Sequence, residues 1–487
     1  MSFSYISKPK SVTALALRKV RTSFCPKDYR VIEFTNANLI KLSDLLTDNF
    51  QGQEIGSDAY FKKSPYRFLK TVNITDKIIL DETSIEYCIP IGTRKPKHGN
   101  IFIVKDGAGN GLGEVCYYHI DNKKGFDCIS AGVLAIDVKL EHRFYVLGIL
   151  KSQHFKDFVN LNTPEGSTIR HSKKIALDYF ITFPTTKNNK KPKDIEKYLS
   201  LLAQNLIDKE IQFNRKNSLI DSFIENELEN NQKSDKYKFK YPSINEIKKE
   251  LRTDTILYTD KYKRLEFLVT NYKNGFFNIP ETAIRPGKTP DDYYYTNYKA
   301  DNTFEWVTPK NLSQRRLTFK TYLHTKQKPI TKKYSLIFSG IRYVGNCWFV
   351  EDEQSPIFCN QNTLVINHSE KAEEQLFIMC YFSSQIGKRL QLMQRVFGIV
   401  PILYSKDFAK IPMPNFPLEI QKKIAIEYYN NLPMDKDLTL ENYLEKEKVR
   451  NSKLGLFQLN TEILELKEKL AMVVDKIIKE EAIVIEL

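Results

Sequence analysis

Four glycines in a short run, Gly107, Gly109, Gly111 and Gly113, are the part of this chain that most resembles a cofactor loop. Nucleotide and S-adenosylmethionine loops need a helix directly after the glycines, because the helix N-terminus supplies contacts to the anion or the ribose. Here the next residues, Glu-Val-Cys-Tyr-Tyr-His-Ile, alternate as they would in a strand. We therefore interpret the run as a β-hairpin turn, or as a loop that approaches a ligand.

Other motifs for catalysis or metal binding are missing from the sequence. It has no Asn/Asp-Pro-Pro-aromatic motif of amino-methyltransferases, no Walker loop and no convincing Asp…Glu-x-Lys nuclease centre. The seven His and seven Cys residues lack ligand spacing, and no Cys-x-x-Cys pair occurs. Free, buried thiols in a reducing cytoplasm fit these cysteines best. We predict a chain with no catalytic centre, no metal and no cofactor of its own.

Basic residues interleaved with aromatic and polar ones are the stronger signal. The net charge of +15 favours a polyanionic partner, most often a nucleic acid. Lys and Arg neutralise phosphates, and Arg can also read base edges in the major groove. Any one of these residues could be a solvated surface charge, but their clustering in both halves of the chain favours binding. The predicted DNA contacts are Lys62, Lys63, Tyr66, Arg67, Arg94, Lys95, Lys97, Thr168, Arg170, His171 and Lys173 in the first half, and Arg315, Arg316, Lys320, Arg342, Tyr343 and Arg395 in the second.

Two distant segments, 145–184 and 377–414, share one pattern. Each has an apolar helical pattern, a glycine, a Ser-Lys pair and an apolar run that ends at a proline. An amphipathic helix pattern follows each proline. The β-hairpin patterns at 101–120 and 335–350 also correspond, whereas the first halves of the two regions differ strongly. We expect two similar domains, each followed by a helix, and a partner with two separated sites.

Long helices must connect these domains. No Gly or Pro interrupts residues 194–229, and apolar residues recur there at helical spacing, which predicts one helix of about 50 Å. Near the C-terminus, apolar residues recur at the three-and-four spacing of a coiled-coil seam. We expect the two helices to pack antiparallel, because each would otherwise expose an apolar stripe. The apolar stripe is more extensive than one partner helix can cover, so we also expect it to bind a partner; the predicted partner-binding residues are Leu199, Leu202, Leu206, Leu459, Ile463, Leu466 and Leu470.

The fold class that follows is α+β, with two mixed α/β domains joined by two long helices packed as an antiparallel coiled coil. At 487 residues the chain is long enough for two or three domains. We expect a first domain at 1–186, a central helix at 187–237, a second domain at 238–416 and C-terminal helices at 417–487. The sequence contains neither a signal peptide nor an apolar stretch of membrane-spanning length, so we expect a soluble, cytoplasmic protein without a membrane partner.

This organisation resembles the specificity subunit of type I restriction–modification systems. The segments that carry the resemblance are KDGAGNGLGEV (105–115), TPEGSTIRHSKKIALDYFITFP (163–184) and, most specifically, SKDFAKIPMPNFPLEIQKKIA (405–425). The resemblance implies a non-enzymatic chain with two target-recognition domains, each reading one half of a split, asymmetric sequence in double-stranded DNA. It also implies that two adenine methyltransferase subunits and motor/nuclease subunits join the complex. S-adenosylmethionine and ATP/Mg would then belong to those partners.

Two departures from the family pattern leave other interpretations open. The first helix begins with Pro192-Lys-Asp-Ile195 rather than a Pro-x-x-x-Gln-x-x-Ile motif, and an extra segment surrounds Pro433–Val449. A type IIB-like specificity chain therefore stays possible. The alternatives from other classes are the recognition half of a split restriction–methylation enzyme and a two-domain RNA-binding or scaffold protein. A methyl-transfer assay and competition between DNA and RNA separate them.

Overall fold

The computed structural model of the chain describes residues 6–7, 31–62, 64–89, 94–107, 111–120, 126–164, 168–250, 252–253, 255–296, 300–318, 320–352, 357–396 and 400–487. The chain divides into two compact units. The first contains residues 1–211, 434–452 and 465–487, and the second contains residues 212–433 and 453–464. Among the described helices, none is both long and apolar enough to cross a membrane.

The first unit contains short strands followed by helices. Its described strands are β1 (Ile6–Ser7), β2 (Val31–Ile32), β3 (Leu39–Lys41), β4 (Leu46–Gln51), β5 (Tyr60–Phe61), β6 (Tyr66–Leu69), β7 (Glu86–Cys88), β8 (Ile101–Val104), β9 (Asp106–Gly107), β10 (Val115–Tyr117), β11 (Phe126–Ile129), β12 (Val133–Val138), β13 (Arg170–His171) and β14 (Phe180–Thr182). Its described helices are α1 (Arg143–Leu150), α2 (Gln153–Asn162) and the first part of α3 (Pro192–Asn230).

Two four-stranded sheets organise this unit. The first has the order β10-β8-β12-β4 and is antiparallel throughout. The second has the order β11-β6-β7-β5, and its β11–β6 pair is parallel. Strands β8 and β12 are almost continuously apolar and buried, as expected of strands covered on both faces. The hairpin predicted around the glycine run is confirmed, because Ile103 of β8 lies opposite Val115 of β10.

Helix α3 confirms the predicted long helix and begins two residues before the predicted start. Pro192 occupies the first helical position, where its missing N–H removes no helical hydrogen bond, and no Gly or Pro follows until the helix ends. At 39 residues the helix is about 58 Å long. Its residues up to 211 belong to the first unit and those from 212 to the second.

The second unit repeats the mixed composition. Its described strands are β15 (Phe276–Phe277), β16 (Ile284–Pro286), β17 (Tyr294–Thr296), β18 (Thr303–Val307), β19 (Leu312–Ser313), β20 (Arg316–Leu317), β21 (Tyr322–His324), β22 (Leu336–Ser339), β23 (Cys347–Phe349), β24 (Ile357–Cys359), β25 (Thr363–Ile366) and β26 (Met413–Pro414). Its described helices are α4 (Ile244–Glu250), α5 (Asp260–Thr270), α6 (Ala372–Ser383), α7 (Gln385–Gln394), α8 (Ser405–Phe408) and α9 (Leu418–Tyr428).

Both sheets of the second unit reproduce the strand order of the first. Its first sheet is β23-β22-β25-β16, and its second is β24-β18-β21-β17 with a parallel β24–β18 pair. In the first unit the two sheets have the spatial orders β10-β8-β12-β4 and β11-β6-β7-β5. Each strand of the second unit holds the same place in its sheet, and the same rank along the chain among the strands of that sheet, as its counterpart in the first unit. The first halves of the two regions differ in sequence but share this topology, which pattern comparison alone did not detect.

Two further helices complete the chain, α10 (Tyr443–Lys453) and α11 (Leu456–Ile478). Helices α9 and α11 meet end to end, since the N–H of Gly455 donates to the carbonyl of Asn430 at 2.9 Å. The extra segment noted in the sequence therefore loops out between them, and its helix α10 belongs to the first unit except at Lys453. Helices α9 and α11 both lie in the region 417–487, where C-terminal helices were expected.

Within the first unit, α3 and the end of the chain run antiparallel, as predicted. Lys187 pairs with Glu480 at 2.9 Å, and further along the chain the ammonium of Lys469 lies 5.9 Å from the ring centroid of Tyr198. Contacts thus move backward along one segment as they move forward along the other. The described cysteines are all free and buried, as expected from their spacing.

Candidate nucleic-acid interface

The predicted contacts of the first unit fall into two surface patches. One, the first hairpin patch, forms where β9 pairs with β13 and brings the glycine-rich hairpin beside the loop that follows α2. His171 lies 3.1 Å from a carboxylate oxygen of Asp106, and the ammonium of Lys105 lies 2.8 Å from the other. Arg170 donates to the carbonyls of Asn160 and Thr163, so it orders the loop. Thr168 and Lys173 are exposed on the same loop.

The first sheet patch lies on the second sheet of this unit. Tyr66 stacks on Phe126 with ring centroids 5.4 Å apart, and the ammonium of Lys95 lies 3.8 Å from the Phe126 centroid. Nearby in the chain, Arg94 covers the ring of Phe50 at 4.6 Å. Lys62 and Lys97 are exposed. Lys63 lies outside the described residues. Phe126 is half exposed and was missed by sequence reasoning, because an isolated Phe at a strand start carries no signal.

The second unit has a matching hairpin patch. Ile341 of the β22–β23 hairpin bridges to Ile402 of the loop that follows α7. Arg342 and Tyr343 lie in the hairpin turn with exposed side chains, and Arg342 has a φ of 55°. Arg395 is half-buried at the start of the loop that follows α7, and its carbonyl accepts a hydrogen bond from Arg252 at 3.0 Å. The three predicted residues are therefore brought to one place.

Tyrosines dominate the second sheet patch. Tyr294 and Tyr295 on edge strand β17 are 60% and 62% exposed, and Tyr294 stacks on His324 with centroids 4.7 Å apart. The predicted Lys320 lies 3.3 Å from Glu305 on the adjoining strand β18. Sequence reasoning missed the tyrosines. Three consecutive tyrosines between acidic and polar residues (DDYYYT, 291–296) are the signal that could have found them.

Three of the predicted DNA contacts are wrong, because their guanidinium groups lie in the interior. Arg67 is paired with Glu82 at 2.7 Å and with Asp127 at 2.5 Å. Burial opposes its charge, but the hydrogen bonds with these carboxylates raise the pKa of Arg67 above its ordinary value. Breaking the pair with Asp127 to reach a phosphate would leave the buried carboxylate of Asp127 uncompensated.

Arg315 and Arg316 are the other two corrections. Arg315 is 0% exposed, and it donates to Asp221 at 2.6 Å and to the hydroxyl of Ser383 at 2.7 Å. Burial opposes its charge, and the ion pair with Asp221 raises the pKa of Arg315. Arg316 is also buried, with its guanidinium 4.9 Å from the centroid of Phe213 on α3. Both attach the β19–β20 hairpin to the long helix.

The side chains predicted to dock a partner are buried within the chain itself. They fill the cores that α3 and α11 form with the rest of their units, and partner docking through them stays a prediction. These residues are Leu199, Leu202, Leu206, Leu459, Ile463, Leu466 and Leu470. Among the described residues, no group of three or more His, Cys, Asp or Glu side chains could hold a metal ion.

Residues 274–427 match the family model of the type I restriction modification DNA specificity domain. The match covers about a third of the chain, and this part of the chain is similar to a DNA specificity domain of type I restriction–modification systems. Such domains are the non-catalytic, DNA-recognising part of restriction–modification complexes. The matched residues lie entirely within the second unit.

Solved structures give further similarities. The S subunit of a type I restriction–modification system from M. genitalium is 14% identical, with a TM-score of 0.38 and coverage of 92% of this chain and 97% of that one. A chain from a structure on the assembly and conformational transition of the type I R-M system is 10% identical, with a TM-score of 0.28 and coverage of 92% and 99%. The HsdS subunit from Thermoanaerobacter tengcongensis is 11% identical, with a TM-score of 0.25 and coverage of 91% and 96%. A search of curated proteins returned no match.

Proposed function

We propose that this chain is the DNA sequence-recognition subunit of a restriction–modification complex and that it reads a bipartite, asymmetric target. The second unit, which carries the specificity domain, would read one half of the target. The first unit would read the other half. Under this proposal the recognition domains are residues 1–186 and 238–416, and the connecting helices are residues 187–237 and 417–487.

The observation that carries the proposal is the repeated topology. The family match covers only residues 274–427, but the first unit has the same strand order in both sheets, including the parallel pair. In each unit a β-hairpin also lies beside a loop that follows a helix: the β8–β10 hairpin beside the loop after α2 in the first unit, and the β22–β23 hairpin beside the loop after α7 in the second. Two domains that recognise different half-sites need the same fold but different surface residues, because the surface residues make the contacts to the bases.

The two kinds of patch suit duplex DNA in complementary ways. Exposed Lys and Arg side chains can neutralise phosphates, whose contacts position a protein on the duplex without reading its sequence. Arg342 in its hairpin turn and the exposed tyrosines of β17 could reach base edges or stack on bases. Each half-site bound alone would give weak affinity, and joining both readers in one chain makes the second contact intramolecular.

The helices have a proposed role in spacing and assembly. Helix α3 contributes residues to both units, so its length would set the spacer between the half-sites. We propose that two methyltransferase subunits dock on the helical part of the chain and that motor/nuclease subunits join for cleavage. S-adenosylmethionine and ATP/Mg would be bound by those partners.

Methylation mapping in the source genome, with and without this chain, tests the proposal. The expected result is a methylated split motif that disappears with the chain. Binding of the purified chain to that duplex should exceed binding to the same half-sites at a changed spacing and to structured RNA. Equal binding to RNA would favour the RNA-binding alternative, and methyl transfer by the purified chain alone would favour the split-enzyme alternative.

A further inference from the structure

A short segment of the second unit, between α3 and α4, alternates lysines with aromatic residues. Residues 236–241 read Lys-Tyr-Lys-Phe-Lys-Tyr, with no carboxylate among them. The DNA contacts predicted from the sequence do not include these lysines. Lys236, Lys238 and Lys240 all have exposed side chains, and we call the three together the lysine ladder.

The aromatic residues indicate that this segment is extended. Residues 235–243 contain no helical turn, and the ring centroids of Phe239 and Tyr241, two residues apart, lie 5.3 Å from each other. An extended chain places side chains two residues apart on one side and directs their neighbours to the opposite side. The three lysines therefore share the side opposite the rings, and they repeat every 6.6 Å or so, about two residues of extended chain.

Contacts on the aromatic side fix the segment to the second unit. Tyr237 donates to the carboxylate of Asp260 at 2.9 Å, and its ring centroid lies 5.4 Å from that of Phe267 on α5. Further along, Phe239 and Tyr241 line a groove of about 390 Å³ together with residues of the 253–259 segment. Because the backbone is held from this side, the lysines are directed away from the rest of the unit.

The ammonium groups of the ladder have no acidic partner among the residues that the structure describes. The carboxylate of Glu246 accepts hydrogen bonds from the N–H and the hydroxyl of Ser243, at 2.8 and 3.2 Å, so it caps α4 instead of pairing with a lysine of the ladder. Those hydrogen bonds, together with nearby cations that include Lys240, lower the pKa of Glu246. Glu250, at the other end of α4, pairs with Lys410 at 3.0 Å. The positive charge of the ladder is therefore left open to an external anion.

The segment that carries the ladder is connected to the hairpin patch of the second unit. Tyr258 shares the groove with Phe239 and donates to the carbonyl of Arg252 at 2.9 Å. The guanidinium of Arg252 donates in turn to the carbonyl of Gln394 at 2.6 Å and to that of Arg395 at 3.0 Å. Arg395 begins the loop that contributes to the hairpin patch, so the ladder and this patch belong to one continuously packed region.

A row of lysines suits phosphates better than base edges. The Lys ammonium acts as a point charge and lacks the planar, bidentate geometry with which Arg reads a base. The repeat along the ladder is close to the separation of successive phosphates on one strand of a duplex. Carboxylates of a partner protein would have to be placed at this same repeat, whereas the DNA backbone supplies a charge at every nucleotide. The favoured occupant is therefore the DNA backbone.

We propose that the lysine ladder is a sequence-independent anchor, which binds successive phosphates on one strand of the duplex beside the half-site that the second unit reads. This inference rests on the proposed function. The anchor adds affinity for every duplex and holds the second unit on the backbone while its hairpin and sheet patches contact bases. Loss of the anchor therefore weakens binding without changing which sequence is preferred.

Replacing the ladder in the full chain tests the proposal. The triple variant Lys236→Gln, Lys238→Gln and Lys240→Gln changes only exposed side chains, so its melting temperature should stay that of the wild type. Its affinity for duplex DNA should fall about tenfold or more, and the slope of log K against log salt should decrease by about 3, one for each phosphate contact. The loss should be the same for split-site and scrambled duplexes. Lys→Arg replacements at the same three positions keep the charge and should retain the slope.

A charge-matched control removes three other exposed lysines of the second unit, which lie outside both of its patches: Lys371→Gln, Lys422→Gln and Lys423→Gln. Fluorescence anisotropy at several salt concentrations measures all the variants on both duplexes. A decrease in slope for the ladder variant that the control does not show supports the proposal. An equal decrease in the control would mean that only the net charge of the chain matters, and that result overturns it.

The remaining outcomes separate the anchor from the proposed function. An unchanged slope in the ladder variant overturns the anchor and leaves the proposed function standing when the split-site duplex is still preferred. A loss confined to the split-site duplex would show that the ladder reads bases. Weaker binding of the methyltransferase subunit with unchanged DNA binding would make an acidic protein surface the occupant. Each of these two results also overturns the anchor, whereas a wild-type chain with no preference for a split-site duplex refutes the proposed function itself.

Discussion

The two units share a strand order but differ in the groups around their surface aromatic residues. In the first unit, Lys95 lies over Phe126, Lys70 over Tyr60 and Arg94 over Phe50, and of these cations Lys70 also pairs with Glu86 and Arg94 with Asp48. In the second unit, Tyr294 and Tyr295 on the corresponding edge strand stand exposed. A cation held over a ring offers charge to a phosphate, whereas an exposed ring offers a flat face to a base.

The two units also differ in which buried cation lies at the junction of two consecutive helices. In the first unit, Lys151 at the junction of α1 and α2 donates to backbone carbonyls, including that of Val115 at 2.9 Å, and burial lowers its pKa to about 8. In the second unit, Ser383 stands at the junction of α6 and α7. The buried cation beside it is Arg315, which lies between β19 and β20 and donates a hydrogen bond to the hydroxyl of Ser383. The comparison teaches that topology was retained while the buried and exposed polar chemistry diverged, which suits readers of two different half-sites.

The largest expected effect is on specificity. Replacing residues 1–186 with the corresponding domain of another specificity chain should change one half of the recognised sequence completely and leave the other half unchanged. Methylation mapping of the hybrid measures this. A change in both halves would show that the units do not read independently and would break the comparison.

Removing the buried cation of the second unit should have the next largest effect. Arg315→Met removes the cation that pairs with Asp221 and should destabilise the chain by about 3–5 kcal/mol, because an uncompensated buried charge is costly. Lys151→Met leaves only carbonyls unpaired and should cost less, about 1–3 kcal/mol. Urea unfolding of both variants, with exposed Lys320→Met as control, provides the measurement. A larger loss of unfolding free energy in Lys151→Met than in Arg315→Met would contradict this prediction.

Truncating an exposed tyrosine of the second unit should weaken DNA binding at one half-site. Tyr294→Ala is expected to cost about 1–3 kcal/mol of binding free energy if its ring stacks on a base. The loss should be nearly independent of salt, since no charge is removed. Fluorescence anisotropy at several salt concentrations measures it, with Tyr241→Ala as the control, because Tyr241 lies outside the patch and is even more exposed, at 87%. An equal loss of DNA-binding free energy in Tyr294→Ala and Tyr241→Ala would show that Tyr294 does not stack on a base.

The smallest expected effect belongs to a single cation of the first unit. Lys95→Ala should weaken binding to all sequences alike and reduce the slope of log K against log salt by about 1, because one phosphate contact is lost. The same anisotropy titration measures that slope. A sequence-dependent loss with an unchanged slope would mean that Lys95 reads a base, and the contrast between the two sheet patches would then need revision.

The sequence by itself determined the long helix, the hairpin at the glycine run and the duplication of the C-terminal half of each domain. These features follow from local periodicity and turn chemistry: uninterrupted helical spacing from Pro192, and alternation on both sides of Gly107–Gly113. Tertiary structure alone decided which cations are available. Lys95 and Arg67 look alike in sequence, but Asp127 and Glu82, which are distant in the chain, draw Arg67 into the interior.

Tertiary structure also decided the destination of the extra segment at 431–454 and the contrast between Asn205 and Asn460. The side-chain amide of Asn205 on α3 donates to the hydroxyl of Tyr443 on α10, whereas the buried amide of Asn460 on α11 has no hydrogen-bond partner among the residues that the structure describes. Contacts between residues far apart in the chain depend on how elements pack, and periodicity within a single element carries no information about them.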